Sequence, residues 1–245
     1  AKISDFFQEL YPLKDHTLLP MHRGVFYFQG VIYELSTGFF IGDFDIGILK
    51  LIKGISPIKL QQLKTSNEFG IYIDQCCDLL DVYFGLEELK KDGSFSKDSP
   101  DLIFSGKSQL NSMAETLLSL ADNVDASMNN ALLGVEMFLK GGLVYRGTSL
   151  KRVKKLSHNL DKIVEEFGNI FPESDACRLK RAAANIPKDV NLRYKMTNYN
   201  KTLMGHAAMS AQFCAGEVIR MLTTQNARNG LKVDGNIASI SRVYP

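Results

Sequence analysis

The chain has 245 residues and a net charge of +2, with 45% hydrophobic and 23% charged residues, an ordinary globular balance long enough for one large core or two modest ones. No run reaches the roughly 18 to 20 apolar residues of a membrane span, and Ala1-Lys-Ile-Ser-Asp-Phe-Phe-Gln-Glu9 carries acids where a secretory signal needs an uninterrupted apolar run, so a cytoplasmic protein with no membrane partner is expected. Cys76, Cys77, Cys177 and Cys214 include no Cys-x-x-Cys pair and four scattered histidines complete no ligand set, so buried free thiols are expected, with no metal and no cofactor.

Sixteen of the 24 aromatic residues fall in residues 1–107, where strand and helix signals mix. Arg23 to Leu35 is rich in β-branched and aromatic residues, with Gly30 marking a bulge or turn. Asp43 to Lys53 suits a short helix capped by Asp43. Ser56-Pro57 opens another helix, an N-cap followed by proline at the first position. Phe69 to Phe84 is apolar, and its periodicity fits a strand pair or a helix equally. Lys90 to Asp101 reads as a polar linker with Gly and Pro, placing a boundary between Gly93 and Ser108. Residues 1–100 are accordingly expected to form a mixed α/β domain.

From 108 to 228 helix follows helix. Ser108 is a candidate cap for the first, with Leu110, Met113, Leu117 and Leu120 on one face. The second runs from about Asp125 to Tyr145, with Gly147 as its stop. Ser157 is a candidate cap for the third, which Phe171-Pro172 ends. Asp175 to Asn185 forms the fourth, cut by Pro187. The last spans about Asn200 to Thr223, and residues 229–245 are left as a tail. Short connections between such helices favour an antiparallel all-α bundle. The fold class expected is thus an α+β N-terminal region followed by that bundle.

The long Asn129–Gly147 helix with its Tyr-Arg-Gly end, Leu156-Ser-His-Asn-Leu160, Leu192-Arg-Tyr194 and the alanine-rich helix through Glu217 resemble the HEPN superfamily of helical bundles. The resemblance covers roughly 115 of the 245 residues and nothing in 1–107. It implies a commonly dimeric bundle that binds nucleotide or RNA. Some HEPN members are metal-independent ribonucleases of toxin or defence systems, with an Arg-x(4–6)-His motif. Arg152-Val-Lys-Lys-Leu-Ser-His158 fits that formula but lies between the second and third helices, earlier than nuclease members place it. The late candidates, Arg193 and His206, are too far apart in sequence for it.

Charge is the independent clue. Between Lys140 and Lys201 there are fourteen Lys or Arg against six Asp or Glu, a surplus of +8 that leaves −6 for the remainder. Such asymmetry favours phosphate-bearing or acidic partners. Lys151, Arg152, Lys154 and Lys155 precede a helix start, where phosphate would meet cations and open N–H groups together. Arg178, Lys180 and Arg181 are candidates to extend the patch. Arg193, Tyr194 and Lys195 combine phosphate contact with a ring for base stacking. The expected role is RNA or nucleotide binding without catalysis. Two alternatives stand beside it: a metal-independent endoribonuclease using Arg152 and His158 or Arg193 and His206, and a dimeric protein-interaction module.

Overall fold

The computed structural model describes residues 22–38, 46–91, 98–119, 125–188, 199–233, 236–237 and 241–245. Two strands, β1 (His22–Phe28) and β2 (Val31–Thr37), pair antiparallel around Gln29-Gly30. Both turn residues are left-handed, Gln29 at φ 47° and Gly30 at φ 80°, the two-residue turn whose twist matches the flanking strands. A third strand, β3 (Ile52–Lys53), pairs antiparallel with β2. This corrects the helix expected over Asp43 to Lys53, of which Asp43 lies outside the described residues. Among the described residues of that run a 3₁₀ turn forms at Ile48–Lys50, and Leu51 and Ile52 are buried beside the sheet.

Helix α1 (Pro57–Lys64) starts as expected, with Lys59 N–H donating to Ser56 Oγ at 3.3 Å. The ambiguous apolar run is a helix, α2 (Glu68–Lys91). Fourteen of its residues are buried, so it has no single apolar stripe, and a surrounded helix gives no clean period. Helix α3 (Asp98–Leu118) begins ten residues before Ser108, which lies mid-helix. Pro100, read as linker punctuation, sits in the first turn, where its missing N–H costs nothing.

Helix α3 packs along α4 (Asp125–Tyr145) at close range. A Cβ on Gly106 would stand 2.8 Å from the Phe138 ring and 3.1 Å from the Gly134 carbonyl, so only glycine permits that approach. Gly147, at φ 90°, ends the α4 turn as expected. Three short helices follow: α5 (Leu150–Lys155), α6 (Leu160–Ile170) and α7 (Ala176–Ala184). Helix α6 buries Leu160, Ile163, Val164 and Phe167 on one side. Helix α8 (Lys201–Leu222), capped by Asn200, is buried along most of its length and contacts α2, α4 and α7. A short hairpin, β4 (Lys232–Val233) with β5 (Asn236–Ile237), follows.

The packing crosses the boundary expected between Gly93 and Ser108. Strand β1 lies against α2, α3 and α8. Val25 joins the apolar cluster of the helices, while Met209 of α8 and Tyr244 join that of the sheet. The outer edge of β1 is closed by a side chain. Val25 N–H donates to Gln212 Oε1 at 2.6 Å, and Gln212 Nε2 donates to the Val25 carbonyl at 2.9 Å, satisfying groups an open edge leaves unpaired. The expected α+β character therefore holds, with the sheet seated on the helices.

Candidate functional site

Helix α5 opens on Ser149, whose Oγ accepts from Arg152 N–H at 3.3 Å. In Leu150-Lys-Arg-Val-Lys-Lys155 only Val153 is buried. One inward position in so short a helix leaves Lys151, Arg152, Lys154 and Lys155 exposed. The chain then turns through Ser157, which takes φ 51°, into α6. The cap of α6 is Asn159, whose Oδ1 accepts from Lys162 N–H at 3.1 Å. This corrects the expectation that Ser157 is the cap, since its left-handed backbone places it in the turn instead.

A buried ion pair from α4 fixes this corner. Lys140 Nζ donates to Glu136 Oε1 at 2.6 Å and to the Ser157 carbonyl at 2.6 Å. The other Glu136 oxygen lies 2.9 Å from Nδ1 of His158, whose side chain remains 52% exposed. Glu136 and Lys140 are themselves 6% and 9% exposed, so their charges are satisfied by each other and by the turn. A cavity of about 570 Å³ opens there, and its lining includes Lys155, Ser157, His158, Asp161, Lys162 and Lys188.

The cations divide into engaged and unengaged groups. Arg152 pairs with Glu166 at 2.5 Å, and Lys188 with Asp161 at 2.5 Å. Lys151, Lys154, Lys155 and Lys162 are exposed and have no ion-pair partner among the described residues. Arg178 binds Asp175 at 2.7 Å and the Arg242 carbonyl at 2.9 Å, so it is committed to the C-terminal segment. The neighbouring N–H and guanidinium hold the Asp175 carboxyl below its ordinary range, against the opposing effect of burial.

The catalytic candidates are not gathered on one partner. Arg152 and His158 share the corner, each on its own carboxylate. His206 packs between the rings of Tyr27 and Tyr244, at centroid distances of 5.6 and 6.4 Å. Arg193, Tyr194 and Lys195 lie outside the described residues. No group of three His, Cys, Asp or Glu suited to a metal ion occurs among the described residues. Cys76, Cys77 and Cys214 are buried and Cys177 is exposed. Burial pushes the Cys76 thiol up to about 12, away from reactive thiolate.

Sequence reading missed a second charged assembly. Asp74, Asp78 and Asp81 line one face of α2 and are at most 1% exposed. Arg220 Nη1 donates to Asp78 at 2.8 Å and to Asp81 at 2.6 Å, and its Nη2 to Glu217 at 2.9 Å. Arg228 reaches Asp74, and Arg242 takes both oxygens of Asp78 at 2.9 and 2.6 Å. Burial raises the Asp81 carboxyl to about 6 despite the opposing pull of Arg220. Burial would depress Arg220, but Asp78, Asp81 and Glu217 hold its guanidinium above the ordinary range. The available signal was the spacing of three acids through an apolar helix, with three arginines near the other end of the chain.

No protein-family model, curated protein or solved structure matches this chain. No described helix is long and apolar enough to cross a membrane.

Proposed function

We propose that this protein binds RNA or a nucleotide in the cytoplasm through phosphate contacts at the corner between α5 and α6. The observation that carries the reading is the set of exposed cations Lys151, Lys154, Lys155 and Lys162 beside the α6 N-terminus, none with an ion-pair partner among the described residues. Unengaged cations keep their field for a ligand, and first-turn N–H groups beyond the one held by Asn159 add donors that favour an anion. The Glu136–Lys140 pair supports the reading by presenting the turn in one geometry. The HEPN resemblance adds a homodimer, which sedimentation tests. Fluorescence anisotropy with a labelled single-stranded RNA and with ATP tests binding itself. Replacing Lys151, Lys154, Lys155 and Lys162 together by Glu is expected to abolish binding of whichever ligand is bound, while Lys59→Glu leaves it unchanged. Equal binding by both variants would refute the reading.

One observation favours a second reading, a metal-independent endoribonuclease. Glu136 holds Nδ1 of His158 while the ring stays half exposed, an orientation suited to proton transfer at the other nitrogen. That reading requires RNA cleavage in EDTA that His158→Ala abolishes.

A further inference from the structure

A cavity of about 670 Å³ lies between α2, residues 46–48 and the segment that follows α8. It shares no lining residue with the cavity at the α5–α6 corner. Leu80 and Phe84 of α2, with Ile48 and Leu231, give it apolar walls. The segment over it is held at two points. Glu88 accepts from Thr224 N–H at 2.8 Å and from Gln225 Nε2 at 2.7 Å. Further on, a 3₁₀ turn at Ala227–Gly230 starts where Ala227 N–H donates to Asp81 Oδ1 at 2.6 Å. A space of this size, with apolar walls and a few fixed polar groups, suits a small organic ligand.

Charge selects among such ligands. The buried assembly beside the cavity joins four acids, Asp74, Asp78, Asp81 and Glu217, to three arginines, Arg220, Arg228 and Arg242. Among these described groups one negative charge is left over. Arg178, which reaches the assembly through the Arg242 carbonyl, adds no cation to it, because Asp175 pairs with that guanidinium. A surplus buried carboxylate is costly, and of the four acids Asp81 alone lines the cavity. Its Oδ1 takes the Ala227 N–H and its Oδ2 takes Arg220 Nη1 at 2.6 Å. A carboxylate accepts about four hydrogen bonds, so Asp81 has capacity for a further donor. Burial raises its carboxyl to about 6, so a proton supplies the missing charge in acid and the ionised form prevails at neutral pH. We infer that this cavity binds a small organic cation, an apolar ring carrying an alkylammonium, with the ammonium donating to Asp81 and the ring against Leu80, Phe84 and Leu231. A metal ion fits less well, since it needs several oxygen ligands at once and Asp81 is the one carboxylate in the lining.

The probe is tryptamine, titrated into the isotope-labelled full chain at neutral pH with amide NMR shifts as the readout. Two controls keep its ring: tryptophol carries a hydroxyl in place of the ammonium, and indole-3-acetate carries a carboxylate. Saturable shifts at Ala227 and Leu231 are expected with tryptamine, at a Kd below about 1 mM. Tryptophol should bind at least about tenfold more weakly, and indole-3-acetate should leave those amides unmoved. Asp81→Asn should erase the preference for tryptamine over tryptophol, and a folded Asp81→Asn chain that keeps it overturns the proposal. Should that variant fail to fold, Leu231→Trp takes its place, filling the space from a half-buried position. It should abolish the tryptamine shifts. Shifts that do not saturate at millimolar tryptamine, or that Leu231→Trp leaves in place, overturn the site. Equal affinity of the wild type for tryptamine and tryptophol overturns its selection of a cation.

Discussion

His22 shows how one buried side chain links this fold to pH. Its imidazole is about 1% exposed, lies 3.1 Å from Asn111 Oδ1, and is driven down to about 3 by burial and by the Lys107 charge. The folded state thus binds fewer protons than the unfolded chain between about 6.5 and about 3. Stability from the neutral ring is fully present above 6.5 and is lost as the pH falls toward 3. Asp81 acts with the opposite sign: its folded value of about 6 exceeds 3.8, so its contribution improves as the pH falls through that window. Urea unfolding at pH 7 and pH 4.5 should therefore show a larger acid-side loss in the wild type than in His22→Asn. Equal losses would show that His22 does not titrate in this way. The carboxylate ladder gives a second residue-scale expectation. Arg220→Ala leaves Asp78, Asp81 and Glu217 short of their shared cation and should cost about 3–5 kcal/mol by urea unfolding. A cost under about 1 kcal/mol would mean that Arg228 and Arg242 suffice.

Among the elements, α3 and α4 depend on close approach. Gly106→Ala places a methyl group against Phe138 and the Gly134 carbonyl, and thermal unfolding should show a loss of about 1–3 kcal/mol. An unchanged midpoint would mean that the helices part freely. The α5–α6 corner depends on Lys140. Lys140→Met removes the bond to the Ser157 carbonyl and leaves Glu136 only its imidazole partner, so amide exchange across residues 156–162 should quicken. Exchange there at the wild-type rate would show that the turn holds itself. Elements with local signals were legible in the sequence. Ser56-Pro57, the Asp125 to Tyr145 run with its glycine stop, and Asn200 at the head of α8 each carry their cap or breaker within a few residues. Elements shaped by distant contacts were not. Helix α2 is surrounded, α3 starts through residues that compose like a linker, and Ile52 becomes a strand because β2 offers it an edge. The same division runs through the sites. The cations of α5 are contiguous in sequence, whereas Asp78 meets Arg220 and Arg242 across 142 and 164 residues.

Across the whole molecule, opposite charges are handled in different ways. Asp74, Asp78 and Asp81 of α2 are buried and paired with arginines from the C-terminal part, while the lysines of the α5–α6 corner face solvent. The interior assembly ties the sheet, α2, α8 and the last five residues into one packing arrangement, through Gln212 at the strand edge and Asp74 at the tail. In the exterior assembly Lys151, Lys154, Lys155 and Lys162 have no ion-pair partner among the described residues, an arrangement that suits the proposed phosphate ligand. The proposed phosphate contact is electrostatic and has a direct readout in salt. The affinity for single-stranded RNA, measured by anisotropy from about 50 to 200 mM salt, should fall with a log–log slope of about −0.7 per phosphate neutralised. Four lysines engaged at once predict a slope near about −3, reduced to near zero when all four are replaced by Glu. An RNA affinity that does not change with salt, or a slope the lysine replacements leave intact, would contradict phosphate binding at this corner.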